Sequence, residues 1–299
     1  MNAGVQAVWQ SWSAPVAVDL ALLLAALVYA RGWFRLRSAF PGLISLRRLA
    51  AFCSGIFIVW VAIGSPLNAF DDVSLTVHML QHLLLMAVAP PLILRGAPAL
   101  PLLHGLPRWL AQGLVGPVLR WAPVKRLGGL VTRPAIAWLV AALALIVWHI
   151  PAVFELALRW QWLHEFEHGC FFLAGLVFWW PVVEPWPSVV AAPRWIIPLY
   201  LFCATLPCDA LSGFLVFCDR VVYSSYLSAP RVFRISPLQD QECAAALMWV
   251  CTTIIFLVPA VMITIQFLAP HSARLAAPAL AKTPGSVGNR LEAAKWKVV

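Results

Sequence analysis

Charged side chains are scarce in this sequence. Asp, Glu, Lys and Arg make up 11% of its 299 residues, whereas an average soluble domain carries about 25%. With 62% of residues hydrophobic and a mean hydropathy of +0.85, a water-soluble fold would have to expose large apolar patches, which excludes that class. The same content excludes disorder everywhere but the tail. Cysteine is present seven times, an odd number scattered through apolar stretches, so a secreted disulfide framework is excluded. Only Cys218 and Cys243, both near helix ends on one side, form a candidate disulfide pair. No basic stretch precedes the first apolar run, so no cleavable signal peptide is expected. There is no internal repeat and no sign of a second domain.

What the chain does have is long apolar runs. A span needs about 20 mostly apolar residues, and seven stretches qualify: 16–32, 49–66, 73–94, 134–150, 163–183, 194–217 and 239–268. Each is expected to be helical, because lipid offers no partner to an open backbone amide. The expectation is an all-α polytopic membrane protein, one bundle of seven helices over residues 1–269, followed by a mobile basic tail, 270–299.

The bases orient this bundle. Alternate connections collect 17 of the 21 Lys and Arg on one side, including Arg31, Arg48, Arg95, Arg120, Lys125 and the tail lysines, against 4 on the other. The rich side is cytoplasmic by the positive-inside rule, which puts the amino terminus outside and the carboxyl terminus in the cytoplasm. The net charge of +9 is thus a topology signal and not a nucleic-acid footprint. The outer side holds most of the acids, so it is the side a cation would approach. Residues 95–133 read as amphipathic segments in the inner interface, and 218–238 as an outer loop capping the bundle.

Five of the seven His fall in or at the ends of spans, all toward the outer side. Polar residues in apolar helices are costly and usually functional. His78 and His82 stand four apart, with Met86 four further on, so all three share a helical face. His164 and His168 repeat the spacing, and His149 ends the fourth span. An i, i+4 pair can place two nitrogens on one metal ion. Imidazole suits copper, zinc and iron, and a thioether tilts the choice toward Cu(I). Met79, off the His face, reads as a core side chain. Asp240 and Gln241 open the last span on the His side; they are either an acidic cap or partners orienting an imidazole. Asp209 lies deep in the sixth span, with no partner evident from the sequence.

Two other chemistries match the same residues. His164-Glu165-Phe166-Glu167-His168 fits the H-E-x-x-H zinc-protease pattern, with Glu165 as base and His78 or His149 as third ligand. Paired His on facing helices can also ligate haem iron axially.

The run HMLQHLLLMAVAPPLILRGAP (78–98) closely resembles the CtaG-like family of seven-span cytochrome c oxidase assembly factors. So do Trp148-His149-Ile150-Pro151, the stretch His164 to Trp180, and Asp240-Gln241 with Met248-Trp249; the likeness covers about 45–268. It implies a bacterial inner-membrane protein that matures a haem–copper oxidase, through copper supply to the catalytic subunit and with copper chaperones as further partners. The family's His positions carry over to His78, His82, His149, His164 and His168. Glu167 recurs in the family and the residue at Glu165 varies, which makes the protease match accidental.

Overall fold

The computed structural model describes residues 16–40, 44–185, 193–231 and 233–268; the expected tail lies outside them, as do residues 1–15. Among the described residues every regular element is helical. The principal helices are α1 (Val16–Leu36), α2 (Leu46–Gly64), α3 (Leu75–Arg95), α4 (Pro134–Trp148), α5 (Pro151–Arg159), α6 (Gln161–Val183), α7 (Ile196–Phe217) and α8 (Pro237–Leu268).

Six of them are long and apolar enough to cross a membrane: α1, α2 with its continuation to Phe70, α3, α6, α7 and α8. The expected span at 134–150 is a helix of 15 residues. That is about 22 Å of helix, short of a hydrocarbon core of about 30 Å. Its apolar run continues backward into a helix at Ala122–Val131, but the two are bent by 78° and make a seventh span only if counted together. Pro134 is the cause. A residue before proline is pushed out of the helical region, and Arg133 sits extended at φ −68°, ψ 132°.

α3 is the central helix, 61% of its apolar window being buried against 17% for α1. It packs on α2, α6 and α8, while α4 packs on α6 and α7. Its start is held from outside. The carboxylate of Asp240, on α8, accepts hydrogen bonds from Ser74 Oγ (2.9 Å), Leu75 N (2.7 Å) and Thr76 Oγ1 (2.6 Å). It thereby caps the free amides of α3's first turn, where negative charge is also favoured by the helix dipole. Midway, residues Leu84–Val88 form a π-helical turn. Pro90 and Pro91, just downstream, lack the amide that would continue the ladder, and the wider turn absorbs the break. Gly175 of α6 faces this turn: a Cβ there would fall 2.5 Å from Met86 O. Glycine therefore sets how closely α6 approaches α3.

Between α3 and α4, a helix at Ala99–Gly105 packs against α1. The segments after it leave Trp109, Leu114, Trp121 and Leu127 exposed among Arg108, Arg120, Lys125 and Arg126, the amphipathic pattern expected there. At the opposite end, the loop after α7 folds over the bundle. Tyr223 donates to His149 O (3.2 Å) and Tyr226 to Asp71 O (2.8 Å), while Ser225 hydrogen-bonds Glu155 of α5.

Candidate metal centre

The two i, i+4 pairs meet. His78 and His82 occupy the first turns of α3, and His164 and His168 those of α6. Ring centroids lie 4.3 Å apart for His78–His82, 4.4 Å for His164–His168 and 5.3 Å for His78–His164, the last pair stacked. Two overlapping donor sets result. One ligand atom from each of His78, His82, His164 and Glu167 lies within 4.8 Å of the others, and the same holds for Asp71, His164 and His168.

The carboxylates stand beside the rings without closing on them. His82 Nε2 is 3.7 Å from Glu167 Oε1, and His164 Nε2 is 3.8 Å from Asp71 Oδ2, both too long for hydrogen bonds. Asp71 and Glu167 are 1% exposed, and His78 is fully buried. Both ring nitrogens of His78 and of His82, Nε2 of His164 and of His168, both oxygens of Glu167 and Oδ2 of Asp71 are buried with no hydrogen-bond partner. Buried polar atoms are nearly always partnered, and leaving one bare costs about 1–3 kcal/mol. So many bare donor atoms around one point make this cluster a candidate cation site. Burial, and then the charge of Asp72, push the Asp71 carboxyl well above the usual carboxylate range; a cation beside it would favour the ionised form. A cavity of about 230 Å³ lined by His164, His168, Glu165 and Asn68 opens beside the cluster.

The other candidate residues lie elsewhere. His149 belongs to neither donor set. It follows the last turn of α4, where Nδ1 donates to Leu145 O at 2.7 Å and Nε2 faces Met79 Sδ at 3.4 Å. Met79 is thus more than the core side chain expected: it touches an imidazole. Met86 lines a separate cavity with His82 and His149; the π turn begins between His82 and Met86 and breaks the four-residue register. Asp240 and Gln241 do not orient an imidazole. Asp240 is spent on α3's start, and Gln241 bonds Leu215 O and Arg220 O through Nε2 (3.1 Å each) and Val222 N through Oε1 (2.7 Å). Cys218 and Cys243 are free thiols, so the candidate disulfide is absent. Asp209 keeps a buried Oδ1 without a partner.

Asp71 joins the cluster although the His spacing does not single it out; its sequence signal is an acid seven residues before His78, in the connection leading into that helix.

Neither rival chemistry is favoured by this geometry. Glu165 is exposed and accepts a hydrogen bond from Gln161 at 3.3 Å, so the acid inside the His cluster is Glu167, not the base position of an H-E-x-x-H site. The imidazoles pack on one another and on Phe154 and Phe171 at 4.2–5.6 Å between centroids.

The model of the family described as cytochrome c oxidase caa3 assembly factor matches residues 27–269, which include every residue of the cluster. This chain belongs to that family. Among curated proteins, the chain is 24% identical over 269 residues to uncharacterised proteins of Mycobacterium bovis and Mycobacterium tuberculosis, and 22% identical over 262 residues to one of Mycobacterium leprae. Each alignment covers 86% of this chain and 39% of the relative. The chain therefore spans about two-fifths of the length of these relatives. No solved structure matches it.

Proposed function

We propose that this assembly factor holds a copper ion in its histidine–carboxylate cluster and hands it to the catalytic subunit of a haem–copper oxidase. One observation carries the reading: donor atoms of His78, His82, His164 and Glu167 converge within 4.8 Å while most of them lack any hydrogen-bond partner. Three imidazoles and a carboxylate suit copper or zinc; membership of an oxidase assembly family favours copper, carried as Cu(I). The protein is a carrier and not an enzyme. Long ion-pair distances and the adjoining cavity suit labile coordination, which transfer by ligand exchange requires.

The setting follows from the charge count. With seven spans, the bent pair taken as one, the positive-inside rule supports an orientation with the base-poor, His-bearing end on the outer side of the bacterial inner membrane and the carboxyl terminus in the cytoplasm. Copper chaperones on that side would load the cluster.

Metal analysis of the purified full chain tests this. Copper is expected at stoichiometric level, and His78→Ala with His164→Ala is expected to remove the cluster's equivalent and to lower oxidase activity in cells. Unchanged metal content and oxidase activity in that variant would sink the reading. Stoichiometric zinc, with proteolysis lost in Glu165→Gln, would support the protease instead, and a Soret band would support haem.

A further inference from the structure

Behind the cluster, α3, α4, α6, α7 and α8 line a second chamber of about 60 Å³. Its walls are mostly apolar; the heteroatom-bearing side chains that line it are Met79, Met86, Met248, Cys208, His149 and His82, with Thr252 and Trp138. The sequence has only five methionines, and three of them are here. Random core filling does not gather sulfur in this way.

The contact between His149 and Met79 is chemically odd. Nδ1 of His149 donates to Leu145 O, so in the neutral ring Nε2 carries no hydrogen and offers a lone pair. What it faces at 3.4 Å is a thioether sulfur, also an acceptor. Two acceptors confront each other with no proton between them. A metal–nitrogen bond of about 2.0 Å and a metal–sulfur bond of about 2.3 Å span a 3.4 Å gap at an angle of roughly 100°, close to tetrahedral. The ring is held for this: Leu145 fixes its tautomer, as buried ligand imidazoles require, and Tyr223 holds the backbone of His149 from the capping loop. Cys208 is also available. Thr252 donates its hydroxyl to Met248 O (2.7 Å), so at 3.2 Å it accepts from the Cys208 thiol, and the sulfur keeps its lone pairs.

We infer that this chamber is a second metal site, specific for a soft monovalent cation such as Cu(I), with His149 Nε2 and Met79 Sδ as its anchoring ligands and Met86, Met248 and Cys208 as the sulfur donors around them. Among the described residues no carboxylate lines the chamber. Desolvation cost rises with the square of the charge, so a largely apolar cavity with neutral donors rejects a divalent ion far more strongly than a monovalent one, and thioethers select Cu(I) besides. His82 borders both this chamber and the cluster, so the two sites share one imidazole as a ligand that an ion can exchange across. The inference rests on the copper reading only for the identity of the cargo.

The test is titration of the detergent-purified full chain with Cu(I) against bicinchoninate, with X-ray absorption at the copper edge. Two equivalents are expected, with sulfur in the coordination shell. Met79→Leu with Met248→Leu should remove one equivalent and the sulfur signal, and excess Zn(II) should leave that equivalent in place. His78→Ala with His164→Ala should remove the other equivalent and keep the sulfur. A wild-type spectrum of nitrogen and oxygen alone, or a Met variant that keeps both equivalents and its sulfur, overturns the proposal. Retention of both equivalents in the His variant would instead overturn the cluster reading while leaving this one standing. Met→Leu conserves volume; should the double variant nevertheless fail to fold, Met79→Leu and Cys208→Ser singly must each weaken Cu(I) binding at least tenfold.

Discussion

Two regions side by side on α3 differ in almost every chemical respect. The cluster is imidazole and carboxylate, it lies at the amino ends of α3 and α6, and it adjoins a cavity of about 230 Å³. The chamber is sulfur with imidazole, walled by apolar side chains, and about 60 Å³ in volume. Adjacent residues feed the two: His78 enters the cluster and Met79 meets His149, because successive helical residues point about 100° apart. One helix can therefore present a charged, borderline donor set on one face and a neutral, soft one on the next. On the proposed reading, the carboxylates would draw a cation out of water and offset its charge, and the sulfur chamber would add selectivity without charge.

The variant expected to disturb both regions most is Asp240→Ala. It strips the cap from the helix they share, leaving the amides of Leu75 and Thr76 bare. Charge-assisted hydrogen bonds of this kind are worth about 1.5–3 kcal/mol, so a loss of about 3 kcal/mol is expected, read as a fall of about 10 °C in apparent Tm. Metal binding should weaken in both sites together; weakening in one alone would show that α3 does not couple them. Gly175→Ala comes next. Its methyl would collide with Met86 O and Pro90 Cγ and push α6 from the π turn, costing about 2 kcal/mol. Because that turn carries Met86, Cu(I) binding by the chamber should fall more than binding by the cluster, as the sulfur amplitude in X-ray absorption would reveal.

Glu167→Gln separates the regions. The amide is nearly isosteric, so the fold is expected to hold, while the cluster loses a carboxyl group 3.7 Å from His82. Replacing such a carboxylate costs metal affinity about 10–100-fold. Competition titration should show the loss in the cluster equivalent alone. An equal loss of the sulfur-bound equivalent would mean that one site, not two, is present.

Much of this was legible in the sequence, because period and charge are local properties. The apolar runs place α1, α2, α3, α6, α7 and α8 within a few residues, and the i, i+4 spacing of His78–His82 and His164–His168 is enough to pair each within its helix. What the sequence hid is which faces meet. His149 looked like a fifth member of the cluster, but a helix ends there and its Nδ1 turns back to Leu145, aiming the ring at Met79. Asp240 looked like a cap for its own helix or an imidazole partner, and instead caps a helix 165 residues earlier. Gly175, the π turn and Pro134 act through tertiary clashes and backbone breaks, which no hydrophobic period reports. The fourth span shows the limit clearly: its helix, Pro134–Trp148, is short alone, and the proline at its start bends it by 78° from the helix before it.

The smallest expected effect concerns the lid that both regions share. Glu155, on α5, is raised by partial burial, but hydrogen bonds from Ser225 and Ser224 outweigh this and hold its carboxyl below the usual value. A carboxylate with a depressed pKa in the folded state adds stability above its unfolded value, and that stability disappears as pH falls through the folded value. Hydrogen-exchange protection of residues 223–228 should therefore be flat from pH 7 down to about 4.5 and decline below it, and Glu155→Gln should abolish the decline. Tyr223 of this lid steadies His149 while Tyr226 holds Asp71. A loosened lid thus frees a chamber ligand and a cluster acid at once. If acid released only the cluster's metal, before any change in lid exchange, proton competition at the imidazoles would be the cause and the lid no part of it.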